Sequence, residues 1–223
     1  MSPEIIPLGL GLSNAYLIKN AHGNFLIDCG AATQRDKLDG LLAAAGVKPG
    51  NLQMLILTHA DLDHSGNTAY LQNKYLAKVA VHPQEVVAVE TGDMFKTRCQ
   101  MNPIIKSLGN LFLFFLRLPR LELFKPDILL DDGFDLNPYG LDASVIHIPG
   151  HSTGSVGILT AGGSFFCGDL VMEGKGKLKA MVDNREDHRR SLDKIISLPF
   201  TEIYPGHGNK FNKELLEASR SGF

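Results

Sequence analysis

The stretch "LQMLILTHADLDHSGN", residues 52–67, decides the fold. Its first half is a continuous apolar run, short enough to be a strand buried on both faces. Its second half packs His59, Asp61, Asp63 and His64 into six positions. Nitrogen and oxygen donors crowded at the mouth of a buried strand suit a divalent metal.

The same arrangement recurs along the chain. His151 follows the apolar run "ASVIHIP" in "PGHSTGS", Asp169 follows "SFFC" in "CGDL", and His207 follows "TEIYP" in "PGHG". Each lies beside glycine, which lets a loop turn sharply and approach a ligand closely. A lone histidine or aspartate in such a loop is more often a turn or capping residue. An ordered set at four strand ends is hard to obtain that way, and seven donors without cysteine suit one or two ions such as zinc, iron or manganese.

The remaining pattern fits one domain spanning residues 1–223. Strand-like runs "NAYLIK" and "NFLIDCG" flank the turn "NAHG". "TQRDKLDGLLAAAG" reads as a helix capped by Thr33 and ended by Gly46. "GNTAYLQNKYLAK" is a second helix before the strand "VAVH", and later strands are "DILL", "SVGILT" and "SFFCG". A helix near 187–198, the strand "EIYPGHG" and a last helix complete the chain. A helical insert at about 91–125 interrupts this order, with apolar side chains at 101, 104, 105, 108, 111, 112 and 115.

Composition sets limits. Hydrophobic residues at 44% and charged residues at 21% describe an ordinary globular chain. A net charge of −2 gives no nucleic-acid surface. Cys29, Cys99 and Cys167 make no disulfide framework, and the N-terminus shows no secretion signal, so the cytoplasm is expected. "NLFLFFLRL" is too short to span a bilayer and contains Arg117, so no stable membrane insertion is expected.

The order "HxDxDH", "GH", "GD", "GH" resembles the metallo-β-lactamase superfamily, and in particular its glyoxalase II-like hydrolases, from "NAYLI" to "YPGHG". The resemblance implies an α/β fold, a four-layer αββα sandwich with the metals in a cleft at one edge of its sheets. By position it implies that His59, Asp61 and His151 hold a first ion, that Asp63, His64 and His207 hold a second, and that Asp169 bridges them. Asp63 would also orient the nucleophile, and Asp28 would support the metal loop from behind. The implied activity is a metallohydrolase whose metal-borne hydroxide attacks an ester, thioester, lactone or amide of a small molecule. The cofactors are two divalent ions, zinc first, with iron or manganese as alternatives.

Asp61 departs from the usual HxHxDH. An aspartate oxygen lies as far from Cβ as a histidine Nδ1, so the ligand's reach is kept and Asp61→His is expected to retain metal. The extra negative charge would neutralise a dinuclear centre otherwise carrying one positive charge, and favours harder ions. Flavodiiron proteins, a related branch, have glutamate here and hold iron, which leaves an iron redox or oxygenase member as the alternative. A non-catalytic or RNA-related member is the third reading, without a basic patch to support it.

Of the other candidates, His22 is expected in solvent, His82 in a structural role and His147 behind the site. His188 is expected exposed, and Cys29 and Cys167 buried and inert. The insert, with Met101, Phe112, Phe114, Phe115 and Leu116, is expected to cover the sandwich or form a homodimer interface; the alternative is a roof over the cleft for an acyl-bearing substrate. Its Lys106, Arg117 and Arg120 form a basic flank that permits contact with a membrane surface, the least favoured reading, and "EGKGKLK" at 173–179 is either a carboxylate contact or solvated charge.

Overall fold

The computed structural model describes residues 3–115 and 121–222, without the side chains of residues 110, 112–115 and 221. One sheet runs in spatial order β1 (Glu4–Gly9), β2 (Asn14–Asn20), β3 (Gly23–Ile27), β4 (Leu52–Ile56), β5 (Lys78–Val81) and β6 (Ile128–Leu129). β1 to β3 pair antiparallel, and β3 to β6 parallel. The other sheet is built from β7 (Ala143–His147), β8 (Val156–Thr160), β9 (Ser164–Gly168), β12 (Glu202–Pro205) and β13 (Phe211–Asn212). Its order is β13-β12-β9-β8-β7, and a small hairpin, β10 (Met172–Gly174) with β11 (Lys177–Lys179), stands apart.

Alternation within the strands explains the layers. Phe25 and Ile27 of β3 and Val145 of β7 point into a shared core with Met54, Ile158 and Phe166, so the sheets pack face to face. Their neighbours point outward. Leu26 meets α1 (Arg35–Ala44) through Leu38 and Leu42, and α3 (Thr68–Tyr75) through Leu71. Ile146 and Phe165 meet α6 (Arg185–Ile196) through Leu192 and Ile195, and α7 (Lys213–Ser219) through Leu216. The layers are therefore α, β, β and α, as the resemblance implied.

Three details differ from the sequence reading. β1 was not expected there; Pro7 suits it because an edge strand can spare one amide donor. Thr33 lies inside a 3-10 turn, Ala32–Gln34, and the cap position of α1 is Gln34 with no side-chain cap bond. His188 is buried, not exposed, and its Nε2 bonds the Leu170 carbonyl at 2.8 Å.

The insert is only partly helical. It comprises the end of α4 (Val86–Thr91), a 3-10 turn at Met94–Thr97 and α5 (Pro103–Phe115), with Leu121 and Phe124 back in the core. The side chains of Phe112, Phe114 and Phe115, together with Leu116, Arg117 and Arg120, lie outside the described residues. No described helix is long and apolar enough to cross a membrane.

Candidate metal centre

Four strands deliver the polar clusters to one edge. β4 ends at Ile56, and Thr58 and His59 follow; Asp61 then occupies the cap position of the one-turn helix α2 (Leu62–Ser65), with backbone angles φ −65 and ψ 147. Its carbonyl accepts from the amides of His64 and Ser65, so the tight turn throws Asp63 and His64 back toward His59. His151, Asp169 and His207 leave the carboxyl ends of β7, β9 and β12. Gly206 has to be glycine: a Cβ there would stand 2.2 Å from Asp169 Oδ1 and 2.7 Å from His64 Cε1.

All seven residues named by the motif meet. His59, Asp61 and His151 bring one donor atom each within 4.8 Å of one another, as do His59, His64 and Asp169, and Asp63, His64 and His207. His151 Nε2 lies 3.1 Å from Asp61 Oδ2, and His59 Nε2 3.6 Å from the same oxygen. On the other side, His207 Nε2 lies 3.2 Å from Asp169 Oδ2, 3.4 Å from Asp63 Oδ2 and 3.2 Å from His64 Nε2. Asp169 faces both groups, with Oδ2 also 3.8 Å from His151 Nε2.

Hydrogen bonds behind the cluster fix the histidine tautomers. Thr58 Oγ1 donates to Asp28 Oδ2 at 2.8 Å, so it can only accept from His59 Nδ1 at 3.0 Å. His64 Nδ1 donates to Asp28 Oδ2 at 2.9 Å, His151 Nδ1 to the Met181 carbonyl at 2.8 Å, and His207 Nδ1 to the Leu12 carbonyl at 2.6 Å. Each ring then turns Nε2 to the centre, the nitrogen through which it would bind a metal in exchange for any proton held there. Asp28 holds this position in a left-handed backbone conformation, φ 56.

The cluster fits divalent ions. His59 Nε2 and Asp169 Oδ1 are buried without a hydrogen-bond partner. The Nε2 atoms of His64 and His207 face each other at 3.2 Å, a separation that needs a proton or a metal ion between them. The site's attraction for positive charge shows in its acid–base behaviour. Burial disfavours charge on His64, but Asp169, Asp28 and Asp63 outweigh it and lift its pKa to about 10. Burial likewise opposes ionisation of Asp169 and Asp61, yet Asp169 is held well below the usual carboxylate range by His64, His207, His59 and His151, and Asp61 by His59, His151 and Arg98. The cysteines take no part. Burial pushes Cys29 and Cys167 up to about 12, so both stay as thiols.

Two residues escaped the sequence reading. Glu85, fully buried, accepts from the Ala60 amide at 3.0 Å, from Ser152 Oγ at 2.7 Å and from the Gly154 amide at 2.9 Å, so one carboxyl joins the His59 loop to the His151 loop. Arg98, from the insert, places Nη2 2.6 Å from both oxygens of Asp61 and 3.0 Å from His151 Nε2. An aspartate where a histidine is usual was the available signal, since a buried extra charge needs a counter-charge.

Asp61 and His151 of the centre line a cavity of about 560 Å³ together with Arg98, the apolar Met94, Phe95, Met101, Ile105, Met181 and Val182, and the polar Gln100, Asn102 and Asp183. The insert thus walls the cleft. A larger groove of about 1130 Å³, between β11, α6 and α7, contains none of the seven residues. Lys175 and Lys177 line neither cavity, whereas Lys179 lines the larger groove.

The comparisons agree with this architecture. The model of the metallo-β-lactamase superfamily matches residues 8–207. The human acyl-coenzyme A thioesterase MBLAC2 is 26% identical over 218 residues, covering 92% of this chain and 76% of the relative. The hydroxyacylglutathione hydrolase GloC of Haemophilus influenzae is 28% identical over 221 residues, covering 94% of this chain and 92% of the relative. The solved structure of TTHA1623 in a di-iron-bound form superposes with a TM-score of 0.71 at 28% identity, covering 95% of this chain and 96% of that one. The fold and its edge cluster define a divalent-metal hydrolase. The chain belongs to the metallo-β-lactamase superfamily.

Proposed function

We propose that the chain hydrolyses thioesters whose acyl group is apolar. The observation that carries this reading is that Asp61 and His151 share a cavity with Met94, Phe95, Met101, Ile105, Met181 and Val182. An acyl tail among these side chains would leave its carbonyl at the polar end. Both relatives named for an activity, the acyl-coenzyme A thioesterase and the hydroxyacylglutathione hydrolase, release an acyl group from a carrier.

In this reading His59, Asp61, His151 and Asp169 hold one ion, and Asp63, His64, His207 and Asp169 the other. Two divalent ions bound there, zinc in the first instance, would supply a hydroxide nucleophile at neutral pH and polarise the scissile carbonyl. The chain's own contribution is orientation. Asp28 and the Leu12 and Met181 carbonyls fix the rings, the apolar side chains beside Asp61 would receive the acyl tail, and the partly exposed Asp63 would orient the nucleophile. Iron is the second reading, favoured by the di-iron form of TTHA1623 and by the oxygen donor at Asp61.

The test is a panel of acyl thioesters of rising chain length, with a lactone, a lactam and a phosphodiester, assayed on metal-replete protein. Thioester kcat/KM should rise with chain length and exceed that for the other substrates. A preference for lactam or phosphodiester would refute the substrate class.

A further inference from the structure

The Arg98 guanidinium is built into the centre. It is 5% exposed, and Nη2 contacts both oxygens of Asp61 at 2.6 Å. Its other terminal nitrogen, Nη1, bonds Thr97 Oγ1 at 3.1 Å, and that hydroxyl is fixed in turn on the Met94 carbonyl at 2.8 Å. The Thr97 carbonyl accepts from the Thr153 amide at 2.9 Å, which ties this turn to the His151 loop. Lys106 Nζ donates to the Arg98 carbonyl. Arginine is therefore delivered from the insert and held on both sides.

We propose that Arg98 completes the first metal site, its guanidinium and the Asp61 carboxylate together standing in for the neutral histidine of the usual motif. The inference rests on the metal reading of the cluster. A carboxylate and a guanidinium sum to zero, so an ion at His59, Asp61 and His151 meets the net charge that a histidine would have left. The positive charge lost to Asp61 is restored from the insert. Arg98 does not replace the ion itself, because His59 Nε2 stays buried and unpartnered beside it. Asp61 has two oxygens and can serve ion and guanidinium together, whereas His151 Nε2 has a single lone pair for which the two compete. Arg98 is thus a positioning residue for Asp61, and it sets how firmly the first ion is held.

This reverses the expectation that Asp61→His keeps its metal. With Arg98 in place, that histidine would leave an unpaired guanidinium buried against a dication. The proposal is tested by titrating chelator-stripped wild type, Asp61→His and Asp61→His with Arg98→Met using cobalt(II), followed by calorimetry and elemental analysis. Wild type should bind two ions. Asp61→His should lose first-site affinity by at least about tenfold, the scale seen when a ligand's supporting partner is lost. The double variant should recover two ions at near wild-type affinity, a rescue that additive damage does not produce. If Asp61→His fails to fold, Asp61→Asn, with the same shape and no charge, takes its place in both variants. Two tightly held ions in the single variant, or no recovery in the double, overturns the proposal. Failure of wild type to bind any ion removes the metal reading and this inference with it.

Discussion

The two halves of the centre are built alike and shielded differently. In the first, His59, Asp61 and His151 are each no more than 5% exposed, and the buried Arg98 pairs with Asp61. In the second, His64 is fully buried, but the side chains of Asp63 and His207 are 30% and 21% exposed. The same donor chemistry therefore faces two environments. Interior charge balance governs the first half, where a mismatch is not screened by water. Access governs the second, where a bound ion should exchange with solvent more readily.

The largest expected effect on this contrast comes from Glu85, which ties the loops of the first half. Glu85→Ala leaves two buried amides and the Ser152 hydroxyl without their acceptor and should cost about 3–5 kcal/mol, measured by denaturant unfolding. It should also release the first ion while the second remains, which elemental analysis reads directly. A stability loss with both ions retained would separate Glu85 from the site.

A smaller effect should appear with pH. His82 and His147 stack at 4.3 Å behind the first half, and His147 Nε2 donates to the Thr153 carbonyl of the His151 loop. Burial, assisted by His147, lowers the His82 pKa to about 4. An unfolded histidine takes its proton near 6.5, so between about 6.5 and 4 the unfolded chain binds the extra proton. The contribution is complete above that window and is lost as pH falls through it, by about 2 kcal/mol after allowance for partial solvent screening. His82→Asn keeps an acceptor for the Gln84 amide and should flatten this part of the acid limb relative to wild type. Parallel acid limbs in the two proteins would contradict the assignment.

The smallest effect concerns the cavity wall beside the first half. Ile105→Ser should raise KM for long-chain thioesters by about tenfold, near 1–2 kcal/mol of lost apolar contact, and leave short-chain KM almost unchanged. Equal effects on both chain lengths would remove Ile105 from the acyl path.

The fold was legible because its signals are local. Apolar runs of four to seven residues leading into His or Asp mark β4, β7, β9 and β12, the last three with glycine beside the ligand, and each does end at the cluster. The seven side chains that the motif names do converge. β1 was illegible because Pro7 and flanking glycines mask an edge strand whose pairing with β2 is decided by tertiary contact. Glu85 and Arg98 were illegible for a related reason. They lie 25 and 37 positions from the groups they hold, Ala60 and Asp61, and only folding brings those pairs together. His188 misled because a charged run, "REDHRR", surrounds a residue on the buried face of α6.

If the edge cluster holds two ions, thioester hydrolysis depends on both. The most direct test strips the protein with chelator and restores zinc in steps, following bound metal and thiol release together. Activity should be absent without metal and complete at two ions per chain, with His151→Ala and His207→Ala each retaining one ion and little activity. Full hydrolysis by the stripped protein, or two tightly bound ions in either variant, would contradict the account.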